Sequence, residues 1–372
     1  MGLTDYSLYY SLIALSIAAF VGTIYLWPHL GKRKVAHVLG RIGVLLVTNI
    51  LIVVTLGISL NNYGGFYTSW SDVFGINNST TTKVEPTALV SNQLKRITAA
   101  DLKGGKVSPN GSVTIDREVA GSTSGEHGHV WIVLPKSAVK EIKQSRKPIS
   151  LTSYRVIQAL PGFPGTPLGW LNRLNIVSNL ESEWNTRKLP ASIAILTDTN
   201  LLHGYDGECF NTPGGPQIES WLSTDIHQFA AQFLGVKQTG WAIMGTSTGG
   251  WCAPMLALRH PQMFIAGASI AGYFTPEPNK SLSTALSNQL KKEYDLRAII
   301  KKTHPKVAIF ATIAPSDHGS YFQTIHFIAD MKNLISIRTV NLKGQGHNFA
   351  AWLPAIKPAL QWAGTEFARN KQ

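Results

Sequence analysis

The chain begins with two long apolar segments. Residues 7–28 contain no charged side chain, and residues 42–60 are likewise uncharged and rich in Leu, Ile and Val, with Asn49 their most polar member. An α-helix needs about 20 such residues to cross the hydrocarbon core of a bilayer. The alternative is a pair of buried core helices, but such helices would not need to be this long with no charged residue on any face. The pattern therefore predicts two transmembrane helices within a membrane anchor at residues 1–62.

The next segment, residues 63–111, is polar and rich in turn-forming residues. It contains Gly-Gly at 64–65, Asn-Asn at 77–78 and Pro-Asn-Gly at 109–111. Clusters of Gly, Pro, Asn and Ser mark loops rather than regular elements. This composition predicts a linker between the anchor and a large domain.

From residue 112 onward, short apolar runs alternate with helical patterns. The predicted strands are 113–115, 130–134, 155–160, 193–196, 241–244, 263–268, 307–311 and 335–340, and the clearest helical stretches are 217–233 and 282–302. Strands separated by helices are typical of a mostly parallel sheet covered on both faces. Residues 112–372 are therefore predicted to form one α/β domain.

Positive charge lies between the two apolar segments. Lys32, Arg33, Lys34 and Arg41 fall there, whereas residues 1–6 contribute only the charge of Asp5. The positive-inside rule places this connector in the cytoplasm and the large domain outside the membrane. The first segment lacks a positively charged leader, which favours a retained helix over a cleaved signal peptide.

The 372-residue chain has a net charge of +13 and a pI near 9.7. Its Lys and Arg residues are scattered, without a basic helix, finger or stacking motif, so a nucleic-acid partner is not predicted. A basic domain outside the membrane instead suits anionic lipid headgroups or an anionic cell-wall polymer.

A candidate nucleophile lies after the predicted strand 241–244. The sequence Gly-Thr-Ser-Thr-Gly at 245–249 has Ser247 at its centre and is followed by a helical pattern. In a G-x-S-x-G turn between a strand and a helix, the serine hydroxyl is raised above the end of the sheet. Glycines suit the turn because a Cβ would crowd it. The alternative is a glycine-rich connection with a serine that takes no part in chemistry.

A serine nucleophile requires a base and an acid, which follow it along the chain in sheets of this kind. Asp317 is the first carboxylate after the strand 307–311, and His347 is the first histidine after the strand 335–340. Glu208 is the alternative acid. The other candidates are less suited to these roles because they adjoin the acid, lie within a helical stretch or precede a strand: His318, His326, Asp330 and His304.

Two backbone amides are candidates for an oxyanion hole, the pair of donors that stabilises the charge of a tetrahedral intermediate. One belongs to Thr248, directly after the nucleophile. The other belongs to Phe163, in the Pro-Gly-Phe-Pro-Gly turn at 161–165, where Pro164 has no N–H to donate. An ordinary loop is the alternative for this turn.

The chain contains two cysteines, Cys209 and Cys252. An even number in an oxidising compartment permits one disulfide, which would brace the rim of the site, and two free thiols are the alternative. No residue spacing indicates a metal site.

These motifs resemble the α/β-hydrolase putative-esterase family, the branch with esterase D-like enzymes and mycolyltransferases of cell envelopes. The resemblance is carried by Gly-Thr-Ser-Thr-Gly-Gly at 245–250, Arg-His-Pro at 259–261, Leu-Pro-Gly-Phe-Pro-Gly at 160–165, Asp317, and Gly-His-Asn-Phe at 346–349. It implies the α/β-hydrolase fold and serine-dependent chemistry on esters without a metal or cofactor. Mycolyltransferases typically use Glu where Asp317 stands.

The sequence thus predicts an ester hydrolase outside a bacterial plasma membrane, acting on a small-molecule or lipid ester. The alternatives are an acyltransferase acting on cell-envelope sugars and a non-catalytic binding module. The insertion at 273–302 is either a lid or a surface excursion. The aromatic residues Trp170, Trp251 and Phe274 either line a substrate groove or belong to the core.

Overall fold

A computed structural model describes residues 2–3, 5–30, 35–64, 70, 73, 95–201, 206–343 and 346–370. The chain divides into two compact units, Met1–Thr82 and Lys83–Gln372. Most of the predicted linker and the basic residues Lys32, Arg33 and Lys34 lie outside the described residues.

The first unit contains two antiparallel helices, α1 (Tyr6–Leu26) and α2 (Val35–Gly64). Hydroxyl pairs join them, with 3.0 Å between Ser16 Oγ and Thr55 Oγ1 and 2.8 Å between the Oγ1 atoms of Thr23 and Thr48. Both helices are long and apolar enough to cross a membrane. Most of their large apolar side chains are exposed, which is the surface that lipid would cover.

The second unit is built on one sheet, which has nine strands among the described residues. The strands are β1 (Lys106–Val107), β2 (Val113–Ala120), β3 (His127–Leu134), β4 (Arg155–Leu160), β5 (Ser192–Thr197), β6 (Trp241–Thr246), β7 (Phe264–Ile270), β8 (Ala308–Ile313) and β9 (Ser336–Asn341). The helices are α3 (Lys136–Gln144), α4 (Leu168–Asn172), α5 (Ile176–Asn185), α6 (Ile218–Ser220), α7 (Ile226–Phe233), α8 (Thr248–Arg259), α9 (Thr284–Glu293), α10 (Leu296–Thr303), α11 (His318–Met331) and α12 (Phe349–Arg369), and a π-helical segment, Trp221–Asp225, joins α6 to α7.

The spatial order of the strands is β1-β2-β3-β5-β4-β6-β7-β8-β9. Strands β4 to β9 pair in parallel, whereas β1, β2 and β3 form an antiparallel edge that joins β5. The strand order reverses around β4, which lies between β5 and β6. Because Leu160 pairs with Gly245, the loops that follow β4 and β6 leave the sheet side by side. Such a crevice at the carboxyl ends of parallel strands is where ligands bind in open α/β sheets.

Alternate residues of each strand face opposite sides of the sheet, and each side has its own core. On one side the strands pack against α3, α7, α8 and α10, with Ile142, Phe229, Leu256 and Ile300 fully or almost fully buried. On the other they pack against α4, α5 and α12, with Trp170, Leu180 and Leu360 buried. The mostly parallel sheet covered on both faces is confirmed.

The folded unit begins before residue 112, where the sequence places the end of the linker. Ile97 is fully buried, and its N–H donates to the carbonyl oxygen of Phe233 at 2.8 Å. Lys106 and Val107 pair with β2 as an edge strand. The sequence signal is weak here because this strand has two residues and stands between a Gly-Gly and a Pro-Asn-Gly turn. Residues 95–111 therefore include parts of the folded domain, with Ile97 packed in its core and Lys106–Val107 paired at the edge of its sheet.

Candidate active site

Ser247 lies on the sharp turn between β6 and α8. Its backbone has φ 55° and ψ −123°, a strained conformation for a residue with a side chain. A Cβ on Gly245 would lie 1.9 Å from the carbonyl oxygen of Gly249, and one on Gly249 would lie 2.4 Å from that of Pro161. The two glycines let the helix approach the strand closely. This close approach presents the Ser247 side chain at the carboxyl edge of the sheet.

His347 lies between the other two predicted residues and contacts both. Its Nε2 is 2.7 Å from Ser247 Oγ, and its Nδ1 is 2.7 Å from Asp317 Oδ2. An ionised carboxylate only accepts hydrogen bonds, so Nδ1 donates to Asp317 and Nε2 is left to accept the Ser247 proton. The structure thus joins three side chains from the loops after β6, β8 and β9 into one chain of hydrogen bonds.

The carboxyl group of Asp317 is 7% exposed. Burial by itself raises the pKa of this group, but the hydrogen bond and charge of His347 and the hydrogen bond of Ser320 outweigh it, so the pKa of Asp317 lies below its ordinary value. Ser320 Oγ donates to Asp317 Oδ2 at 2.8 Å. Asp317 is therefore ionised at neutral pH, as a partner for an imidazolium must be.

The neighbours of His347 orient its ring. The Trp352 ring meets it edge to face with centroids 4.9 Å apart. The side chain of Asn348 accepts a hydrogen bond of 3.1 Å from the N–H of Ala351 and so caps the start of α12. The cap and the aromatic contact hold the loop of His347 against the domain.

The loop that follows β4 lies directly against the nucleophile. A Cβ on Gly162 would be 2.7 Å from Ser247 Cβ, so only glycine allows this approach. Phe163 is the next residue, and Thr248 is the first residue of α8. Asn200 anchors the loop, since its amide donates to the carbonyl oxygens of Gly162 and Gly165. Sequence reasoning missed Asn200, whose only signal is its position after β5.

The carboxyl groups named as alternatives contact other residues. Glu208 is buried, with the Tyr273 hydroxyl donating to one of its oxygens and the Glu277 N–H to the other at 3.2 Å. Burial first and then the charge of Asp206 raise the pKa of Glu208 well above its ordinary value. Asp330 pairs with Arg297 at 2.8 Å.

The histidines named as alternatives also lie elsewhere. The His318 ring stacks on Phe322, and His304 ends α10. His326 lies within α11, as its helical pattern indicates.

Cys209 and Cys252 form a disulfide. The bond links the loop before α6 to the second turn of α8, four residues after Thr248. Among the described residues, no group of three or more His, Cys, Asp or Glu side chains could hold a metal ion.

The three candidate groove aromatics are core residues, since Trp170, Trp251 and Phe274 are each at most 1% exposed. The helices of the 273–302 insertion also contribute to the core through Leu290 and Ile300, both fully buried. The helical part of this insertion is therefore packed onto the domain.

Comparison with known proteins agrees with this architecture. A ferulic acid esterase of known structure superposes with a TM-score of 0.57 and 19% identity, covering 69% of this chain and 99% of that protein. An uncharacterized protein of Corynebacterium glutamicum is 23% identical over 223 residues, 56% of this chain. The diacylglycerol acyltransferase/mycolyltransferase Ag85B of Mycobacterium intracellulare is 36% identical over 58 residues, 16% of this chain. The matches span 52% and 18% of these two relatives.

The family described as "Putative esterase" matches residues 150–363, more than half of the chain. The match extends from the residues before β4 into α12 and includes Ser247, Asp317 and His347. This chain belongs to the putative esterase family, and it has the α/β-hydrolase fold.

Proposed function

We propose that this protein is a serine-dependent carboxylic ester hydrolase. In this proposal Ser247 is the nucleophile, His347 is the general base, and Asp317 is the carboxylate that orients His347. The observation that supports it most directly is the unbroken chain of hydrogen bonds from Ser247 Oγ through His347 to Asp317, with 2.7 Å at each step. The chain lies at the carboxyl edge of the sheet, where the loops after β4 and β6 meet. The substrate class is a small-molecule or lipid ester.

In the first half-reaction, Ser247 Oγ attacks the ester carbonyl carbon while His347 Nε2 takes its proton. Asp317, ionised and hydrogen-bonded to Nδ1, stabilises the imidazolium that forms. The carbonyl oxygen becomes an oxyanion, and the N–H groups of Thr248 and Phe163 are its proposed donors. His347 then gives the proton to the departing alkoxide as the carbon–oxygen bond breaks, which leaves the acyl group esterified to Ser247.

In the second half-reaction, water replaces the alcohol. His347 removes a proton from the water as its oxygen attacks the acyl carbon, and returns the proton to Ser247 Oγ as the acyl–enzyme bond breaks. The products are a free carboxylic acid and regenerated enzyme. In each half-reaction His347 takes up one proton and gives one up, while Asp317 stays ionised.

An acyltransferase is the second candidate, and the 36% identity to a mycolyltransferase over 58 residues favours considering it. The acyl-enzyme would be the same, with an acceptor hydroxyl in place of water.

Product analysis separates the two functions. The detergent-solubilised protein is incubated with a chromogenic ester and a large excess of a free sugar, and the products are identified by mass spectrometry. Hydrolysis predicts free acid as the main product, in amounts equal to the released alcohol whether or not sugar is present. Acyl-sugar in place of the acid would instead assign transfer.

We further propose that α1 and α2 anchor the enzyme in a bacterial plasma membrane, with residues 1–62 as the anchor and the α/β domain outside the cytoplasm. The support is the apolar length of the two helices and the positive charge of the sequence between them. The basic character of the chain suits anionic headgroups or cell-wall polymers near that surface.

Reporter fusions test this topology. Alkaline phosphatase, which is active only outside the cytoplasm, is expected to be active when joined after Gln372 of the full chain and inactive when inserted at Arg33. The opposite pattern, or a fusion at Gln372 that behaves as a soluble cytoplasmic protein, would contradict the proposed orientation.

A further inference from the structure

The loop that contains Asp206 is attached to the first two turns of α8. Thr248 Oγ1 donates to Asp206 Oδ2 at 2.5 Å. One helical turn further along, Cys252 is bonded to Cys209. Because residues four apart in a helix lie on the same face, both attachments hold the loop against one side of α8. The attached segment starts at the residue that directly follows the nucleophile.

Further contacts brace this loop from behind. The Trp251 Nε1–H donates to the backbone carbonyl oxygen of Glu208 at 3.1 Å. The Tyr273 ring stacks on Trp251 with ring centroids 5.9 Å apart, and the Tyr273 hydroxyl donates to the carboxyl group of Glu208. Asp206 Oδ1 in turn accepts the Glu208 N–H at 3.0 Å. The Asp206 carboxyl group thus accepts one hydrogen bond from its own loop, from the Glu208 N–H, and one from the Thr248 hydroxyl on α8.

An ionised carboxyl group at the position of Asp206 has two free-energy costs. Burial raises the pKa of Asp206 above its ordinary value, although Thr248 and Glu208 both donate hydrogen bonds to it. A negative charge near a developing oxyanion also opposes that charge. The carboxyl group is not needed to hold the loop against α8, because the disulfide between Cys209 and Cys252 already does so.

We propose that Asp206 is a positioning residue: by holding Thr248 Oγ1 it fixes the first turn of α8, and with it the direction of the Thr248 N–H. This inference rests on the proposed function, in which that N–H donates to the oxyanion. Asp206 itself makes no contact with the reacting atoms in this scheme. It acts through Thr248, and the effect appears only when the oxyanion forms.

The test compares four variants in steady-state hydrolysis of a chromogenic ester by the detergent-solubilised full chain. Asp206→Ala is expected to lower kcat by about tenfold to a hundredfold with KM within about threefold, since a misdirected donor weakens the transition state rather than substrate binding. Thr248→Val is expected to give the same pattern. The double variant is expected to lose no more than either single variant, because both remove one interaction. Asp206→Asn keeps an acceptor oxygen and is expected to recover most of the loss.

The matched control is Asp330→Ala, which removes an aspartate that pairs with Arg297 at the surface, and wild-type kinetics are expected. Retention of the disulfide, checked by thiol titration, shows that the Asp206 loop is still attached in each variant. The proposal is overturned by unchanged kcat in Asp206→Ala, by a loss confined to KM, by equal losses in the Asn and Ala variants, or by additive losses in the double variant. These results differ from failure of the proposed function, in which Ser247→Ala would keep the wild-type rate.

Discussion

Replacing Ser247 with alanine is expected to lower kcat for a chromogenic ester by about 10⁴-fold to 10⁶-fold, since without the hydroxyl no acyl-enzyme forms. Removal of the side chain leaves the backbone turn and the buried packing of α8 in place, so the fold is expected to persist. The residual rate would come from the oxyanion donors and substrate binding alone. The measurement is steady-state kinetics of the detergent-solubilised variant beside the wild type.

Ser178→Ala is a suitable control for this experiment. Ser178 is an exposed serine on α5 whose hydroxyl donates to the carbonyl oxygen of Asn175 at 3.0 Å, and it contacts none of the three proposed catalytic residues among the described contacts. Its replacement is expected to leave kcat unchanged. Wild-type turnover by Ser247→Ala would remove the nucleophile from the scheme and with it the proposed function.

Replacing Asp317 with asparagine is expected to lower kcat by about 10⁴-fold, because a neutral amide neither stabilises the imidazolium nor holds the required tautomer of His347. Since Asn is almost the same size and can still contact Ser320, the variant is expected to fold.

Glu208→Gln tests the alternative acid directly. Its carboxyl group contacts Tyr273 and the Glu277 N–H, so less than a tenfold loss is expected, and a loss of about 10⁴-fold there would transfer the acid role to Glu208.

The Asp317→Asn variant also tests the charge state of Asp317 through the pH dependence of stability. The pKa of Asp317 is lower in the folded protein than its ordinary value near 3.9. A depressed carboxyl pKa contributes stability above the unfolded pKa, and that contribution is lost as pH falls through the folded value. The difference in unfolding free energy between wild type and Asp317→Asn, measured in urea, is therefore expected to be larger at pH 7 than at about pH 3. A difference that grows on acidification would contradict the assigned charge state.

Sequence reasoning succeeded where one local signal was strong. The central strands β4 and β6 are short apolar runs bounded by turns, and parallel strands buried on both faces have that composition. Ser247, Asp317 and His347 lie in the loops after β6, β8 and β9, and the carboxyl ends of these parallel strands meet at one edge of the sheet. Their positions after predicted strands were therefore enough to nominate the three residues, whereas the contacts between their side chains come from the structure.

What sequence reasoning missed depends on contacts between distant segments. The two residues of β1 have too few side chains to show a period, and only pairing with β2 makes them a strand. Asn200 and Asp206 follow β5 in sequence without periodicity, and their partners are the carbonyl oxygens of Gly162 and Gly165 after β4 and the Thr248 hydroxyl on α8. A polar residue in a loop has no pattern that reveals such a partner.

The most direct measurement of the central claim is covalent labelling of the full-length protein with a fluorophosphonate probe, followed by peptide mass spectrometry. A serine activated by His347 and Asp317 attacks the probe's phosphorus, fluoride leaves as the phosphorus–fluorine bond breaks, and the phosphonyl group stays on the serine oxygen. The account predicts one adduct, on the peptide containing Ser247, that disappears in Ser247→Ala and is strongly slowed in Asp317→Asn. Absence of labelling in the wild type, or an adduct on a different serine, would contradict it.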